Sequence, residues 1–228
     1  MKFLTILFVL WWIRGFVAKK NVYGYTVQSI APIRGILAVV ITAVHLIQFE
    51  NIRNPWLISE TRQLATPCVA VFFFVSGYGL IKSLKMKGNA YFDSFISKRL
   101  LRILIPLIIV CVIYNLLQYL CFKGYSIDLS FHSWNVNFPF LPTGWFCVTI
   151  ILYYLFFYCF SYISKTPRII TLGLIVFSFF YIIVMHHYNF YDYWYVSSFI
   201  LSIGALVASY EDLFSNVFQI KYLRRIWI

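Results

Sequence analysis

Six stretches of this 228-residue chain are almost uninterruptedly apolar: 30–49, 64–81, 103–122, 144–164, 169–185 and 193–210. A hydrocarbon core about 30 Å thick takes about 20 apolar helical residues to cross, so each run reads as a transmembrane helix. Five of the six carry no Asp, Glu, Lys or Arg, and none alternates apolar and polar residues as the strands of an outer-membrane barrel do. The pattern predicts an all-α, polytopic membrane helical bundle with about six spans.

Composition strengthens that reading. The chain is 62% hydrophobic and only 11% charged, with a mean hydropathy of +0.81, which excludes an ordinary soluble domain. A net charge of +12 would suggest a nucleic-acid partner in a soluble protein. Here the basic residues cluster in short connections between spans, where they act as orientation signals, so no nucleic-acid partner is expected. The segment "IKSLKMKGNAYFDSFISKRLLR" holds Lys82, Lys85, Lys87, Lys98, Arg99 and Arg102 against the single acid Asp93. It is placed in the cytoplasm, together with Lys19, Lys20, Lys165 and Arg168. The nearly neutral loops 50–63, 123–143 and 186–192 then fall outside, in a multi-pass protein of the inner (plasma) membrane.

Residues 1–20 form a hydrophobic amino-terminal segment, read as signal-like, interfacial or an extra span and favoured as uncleaved. Residues 21–212 form the membrane domain, and 213–228 a basic juxtamembrane end where the chain stops soon after Arg224 and Arg225. The cysteines at 68, 111, 121, 147 and 159 lie in or beside the spans without CxxC or zinc spacing. They are expected to be free, buried thiols, with no metal site.

Against this background a few polar residues stand out. Arg34 and His45 occupy the first span, eleven positions apart. At helical pitch they differ by about 20° around the axis and roughly 16 Å along it, so they share one face. Intramembrane ionisable groups usually face a bundle interior or a watery cavity. The plainer alternative is a snorkelling arginine and a histidine that hydrogen-bonds a neighbouring helix. In "VFFFVSGYGL", Ser76 and Gly77 allow either close helix approach or a break, with packing as the default. In "FISKRLLRILIP", Arg99 and Arg102 at i and i+3 fall on one face at a helix start, where forked guanidiniums suit phosphate groups. Orientation signalling and anionic lipid binding remain the alternatives there.

In this order the pieces resemble the membrane acyltransferase family 3, which includes many polysaccharide O-acetyltransferases. The resemblance rests on "IRGILAVVITAVHL", "VFFFVSGYGL", "FISKRLLRILIP" and "GWFCVTIILYYL", with "FILSIGALVASY" as a further matching helix. It implies an enzyme that transfers an acyl group, commonly acetyl from acetyl-CoA on the cytoplasmic side, to a hydroxyl of a glycan or lipid-linked sugar. His45 matches the family's catalytic base, Arg34 an essential arginine near it, and Arg99 and Arg102 the pair associated with donor binding. Ser76 and Gly77 join the donor side by the same resemblance. Where many members carry an acid after the Trp-Phe opening, this chain has Cys147, Val148 and Thr149. Members usually have more than six spans, so a carboxyl-terminal portion is expected to be missing.

The competing class is a non-catalytic transporter or lipid-interacting protein with Arg34 and His45 along a substrate or proton path. No repeat between the halves favours it. His132, the pair His186 and His187, and the run "YNFYDYWY" are weaker candidates for touching a glycan by stacking, since interfacial aromatic belts explain most of them. The oligomeric state is left open.

Overall fold

The computed structural model describes residues 27–49, 55–136 and 138–211, with side chains placed over 35–46, 65–136 and 138–211. Segments 1–20 and 213–228 lie outside the described residues. Every regular element among those described is helical. Helix α1 runs Val27–Phe49, α2 Pro55–Lys87, α3 Ala90–Asp93, α4 Leu101–Cys121, α5 Phe131–Val136, α6 Trp145–Phe160, α7 Pro167–His187 and α8 Phe199–Ser209. A π turn at Ile96–Leu100 leads into α4, and a 3-10 turn at Asp192–Trp194 precedes α8.

Each of the six apolar runs contains a helix. Three helical stretches are long and apolar enough to cross a bilayer, namely Ala65–Lys87, Ile96–Cys121 and Pro167–His187, while Gly35–Leu46 and Trp145–Phe160 are shorter apolar helices. The sixth run departs from expectation: instead of a helix from residue 193, α8 begins at Phe199 and has 11 residues. The loop expected over 50–63 is also shorter, because α2 starts at Pro55, where a proline costs nothing for want of an amide donor. The cysteines are free as expected, but only Cys68 is buried. Cys121 and Cys159 are exposed, because both occupy outward-turned positions near helix ends.

The chain divides into two compact units, Met1–Val75 with Tyr210–Ile228, and Ser76–Ser209. In the first, α1 buries Leu37 and Val44 and leaves Ile36, Val39 and Leu46 exposed, a stripe of the width expected for a helix with one packed face. In the second, α6, α7 and α8 pack around Tyr153, Phe157, Leu174, Leu201 and Ala205. Among the described residues, helix α4 buries only Leu107 and otherwise presents an apolar surface of the kind lipid tails cover.

The α7–α8 packing is fastened by hydroxyls. The Ser178 and Ser202 hydroxyls meet at 2.6 Å and both lie 2.9 Å from the Leu174 carbonyl, so one donates to that carbonyl and the other to its neighbour. The Tyr153 hydroxyl of α6 donates to Ser178 at 2.9 Å. Towards one end of the helices, Thr171 bonds Ser209; towards the other, Thr149 and Tyr181 meet at 3.1 Å. In an apolar solvent there is little hydrophobic drive between helices, so small residues and such bonds hold them together. Ser178→Ala is expected to lower the thermal midpoint by depriving the Tyr153 and Ser202 hydroxyls of a partner, at a cost of about 1–3 kcal/mol. Adding Tyr153→Phe should recover part of that loss; strictly additive melting shifts in detergent would refute the coupling.

Candidate functional site

His45 lies near the end of α1, half-buried beside the buried Val44. Because α1 is uninterrupted, the backbone positions of Arg34, Leu37, Ile41 and His45 fall along one helical stripe. The packed residues of α1 belong to that stripe, so the histidine sits at its margin with protein rather than on the exposed side of Ala38 and Thr42. The Thr42 hydroxyl turns back to the Ala38 carbonyl at 2.9 Å and takes no part in the stripe. The Arg34 side chain lies outside the described residues.

Ser76 and Gly77 occupy the middle of an unbroken α2, so the small residues serve close approach and not a helix break. A Cβ on Gly77 would stand 1.8 Å from the Leu201 carbonyl oxygen and 3.1 Å from the Ala205 nitrogen. Backbone therefore meets backbone where α2 crosses α8, and only glycine fits. Ser76 is buried beside this crossing.

Beyond it, α2 runs on to Lys87 and turns at Gly88, whose φ of +57° suits a residue without Cβ. The short α3 and the π turn then pack against α6 through rings: Phe92 stacks on Phe157 at 5.7 Å and Phe95 on Tyr158 at 5.6 Å. A π turn carries one residue more than an α turn and is frequent at functional places. The two arginines that spacing puts on one face differ in what they touch. Arg99 lies within the turn, half-buried, and Nη2 donates to the Ser83 hydroxyl at 3.0 Å with a longer 3.5 Å contact to the Gly79 carbonyl. Its guanidinium also stands 6.0 Å from the centre of the Tyr91 ring. Arg102 is exposed on α4 and makes no hydrogen bond or ion pair with the described residues. One guanidinium is thus committed to the fold, and the other is available to an anion.

Spacing did not reveal the residues that hold Arg99. Ser83 is one helical turn beyond Gly79 on α2, and Tyr91 comes from α3; the Ser83 position, one α-turn past a glycine, was the available signal. Burial pushes the Tyr91 phenol above its ordinary value, with the Arg99 charge opposing the shift. Lys85, read above as an orientation signal, donates to the Ser209 carbonyl at 2.8 Å. That places a cation on the carboxyl end of α8, where the helix carbonyls favour it. Arg99→Ala should therefore lower the melting temperature in detergent while Arg102→Ala leaves it unchanged. Equal melting shifts for the two variants would contradict this division.

At the opposite end of the same unit, Trp145 opens α6 and packs on Tyr193 at 5.3 Å and on Trp194 at 6.3 Å. The Asn115 amide of α4 donates to the Phe140 carbonyl at 2.7 Å, tying down the connection between α4 and α6, and accepts from the Tyr125 hydroxyl at 2.6 Å. Of Cys147, Val148 and Thr149, which follow the Trp-Phe opening, Thr149 is fully buried and donates to the Trp145 carbonyl at 3.0 Å.

A family model described as an acyltransferase domain matches residues 27–228. Apolar helices and this match together define a membrane protein of the acyltransferase class. The chain belongs to acyltransferase family 3, the family that the ordered motifs resemble. No curated protein and no solved structure matches it.

Proposed function

We propose that this protein is a multi-pass inner-membrane O-acyltransferase that moves an acyl group, acetyl in the first instance, from acyl-CoA to a hydroxyl of a cell-surface glycan or lipid-linked sugar. The observation that carries the reading is a half-buried imidazole, His45, in an apolar helix inside the region matched by the acyltransferase family.

Neutral imidazole is suited to removing a hydroxyl proton near neutral pH. In the proposed reaction His45 accepts that proton as the acceptor oxygen attacks the thioester carbonyl. The tetrahedral oxyanion collapses, the carbon–sulfur bond breaks, and the departing CoA thiolate takes the proton from the imidazolium. Atoms and charge balance without a metal or a redox partner. Arg34 is assigned the oxyanion or a donor phosphate, because a guanidinium in a dry site stabilises negative charge strongly. Arg102 is assigned the donor phosphates and Arg99 the support of the segment that carries it. Ser76 and Gly77 lie on the donor side through the helix crossing they permit.

Membranes containing the chain, supplied with acetyl-CoA labelled in the acetyl group, should transfer label to an alkali-labile, glycan-bound ester. Membranes without the chain should not. Absence of any label above that control, in membranes of the source organism where acceptors are present, would sink the proposal.

A further inference from the structure

The end of the Ser76–Ser209 unit away from Arg99 is built differently from the basic end, and the acyltransfer chemistry makes no use of it. There the connection from α4 to α6 meets the connection from α7 to α8. The Asn135 side-chain amide donates to the Tyr188 carbonyl at 3.0 Å, and the Tyr191 amide donates to the Asn135 carbonyl at 3.2 Å. Asn189 turns the chain with a φ of +56°, a conformation asparagine tolerates. The Trp194 amide donates to the Tyr191 carbonyl, and those of Tyr195 and Val196 donate to the Asp192 carbonyl. Trp194 is buried beneath the turn, against Phe190 and Trp145. Tyr191, Asp192 and Tyr193 are therefore held on a fixed base.

On that base the Tyr191 and Tyr193 rings lie nearly parallel, 18° apart with centroids at 5.8 Å, and Tyr193 leans on Trp145. Tyr191 is 53% exposed even so. Asp192, between them in sequence, is exposed and has no hydrogen bond or ion pair with the described residues. The Asn135 side-chain oxygen is enclosed and meets no hydrogen-bond donor among the described residues, so Asn135 belongs to the base and not to the exposed surface. Aromatic faces carry partial negative charge and attract the C–H edges of a sugar ring. An exposed carboxylate accepts hydrogen bonds from hydroxyls.

We infer that Tyr191, Asp192 and Tyr193, on a base braced by Asn135, form a carbohydrate-binding ledge for uncharged sugar residues. Charge selects this occupant over an anionic lipid headgroup. The cations Lys82, Lys85, Lys98, Arg99, Arg102 and Arg168 belong to the other end of the unit, whereas the connections at the ledge end carry Lys123 against Asp128 and Asp192. As a subsite for the acceptor, the ledge rests on the acyl-transfer reading; as a carbohydrate site, it stands on its own geometry.

The test uses the full chain in nanodiscs of zwitterionic phosphatidylcholine, applied to an array of neutral bacterial and plant oligosaccharides. Wild type should bind at least one of them. For that sugar, Tyr191→Ala should weaken affinity about tenfold, the scale of losing one aromatic anchor. Tyr191→Phe should retain binding, and Asp192→Asn should weaken it. No binding by wild type, or equal binding by Tyr191→Ala, overturns the ledge. Tyr191→Trp reports the alternative occupant: its added fluorescence should be quenched by acrylamide in water, and quenching by brominated acyl chains instead would make the ring part of a lipid belt. The two readings fail separately. Sugar binding that depends on Tyr191 in a protein without acetyl transfer would keep the ledge and remove the enzyme. Acetyl transfer dependent on His45, with an unchanged acceptor KM in Tyr191→Ala, would do the reverse.

Discussion

Replacing His45 with alanine is expected to lower acetyl transfer by about two to four orders of magnitude, the usual contribution of a positioned general base. Three features of the position set that expectation. The residue lies in an apolar helix, where an ionisable group is costly and persists for a function or a firm partner. It is half-buried, so the imidazole is neither fully solvated nor sealed off. The backbone position of Arg34 shares its stripe. His45→Gln keeps hydrogen-bonding capacity but cannot take up a proton, and it should be as inactive as His45→Ala. The assay is transfer of labelled acetyl from acetyl-CoA in membranes, with protein level and detergent-extracted elution profile as controls for insertion. Activity retained by either variant at normal protein level would remove His45 from the chemistry and favour a role in helix packing.

The largest effect on stability is expected at Gly77. A methyl group there overlaps the Leu201 carbonyl oxygen and carbon, at 1.8 and 2.7 Å, and both are backbone atoms that no rotamer change can move. Relief requires α8 to shift as a body, and with it Ser202 and Ser209, whose bonds to α7 depend on the present spacing. Overpacking a core commonly costs about 1–3 kcal/mol, and the coupled loss of the hydroxyl contacts adds to it. Gly77→Ala should lower the melting temperature of the detergent-solubilised protein by several degrees or more, and Gly77→Val should prevent recovery of a monodisperse species. Gly35→Ala is the matched control, since no described atom outside its own stretch of helix lies within 4 Å of its Cβ position. Alanine in place of a helix-interior glycine should be neutral there or stabilising by roughly 0.5–1 kcal/mol. Equal behaviour of the two alanine variants would mean that the α2–α8 crossing is looser than its geometry indicates.

Helix existence was legible in the sequence because it is a local property. A run such as 103–122 or 169–185 is apolar, long and uncharged, and α4 and α7 cover those residues nearly end to end. Run 193–210 shows where that reasoning stops. Its first residues, Tyr-Trp-Tyr-Val, are as apolar as a helix opening, yet they form a 3-10 turn and its continuation, with Trp194 buried below. Hydropathy records that these side chains avoid water, but burial under a turn and burial along a helix satisfy it equally.

The candidate site divides in the same way. Residue type and order were enough to single out Arg34, His45, Ser76, Gly77, Arg99 and Arg102 and to place the chain in its family, because motifs are written in sequence. Spacing alone assigned Arg99 and Arg102 a common face, since it assumes a regular helix. Ser83 and Tyr91, from two other elements, engage the first and not the second. Ser178 and Ser202 carried no signal at all: a serine in an apolar run looks the same whether it faces lipid or another hydroxyl. The sequence by itself determined the solvent, the helices and the family, all of which follow from the identity of neighbouring residues. Which arginine is tied down, which glycine admits a backbone and which tyrosines form a ledge were decided by tertiary structure alone, because each depends on atoms brought from distant parts of the chain.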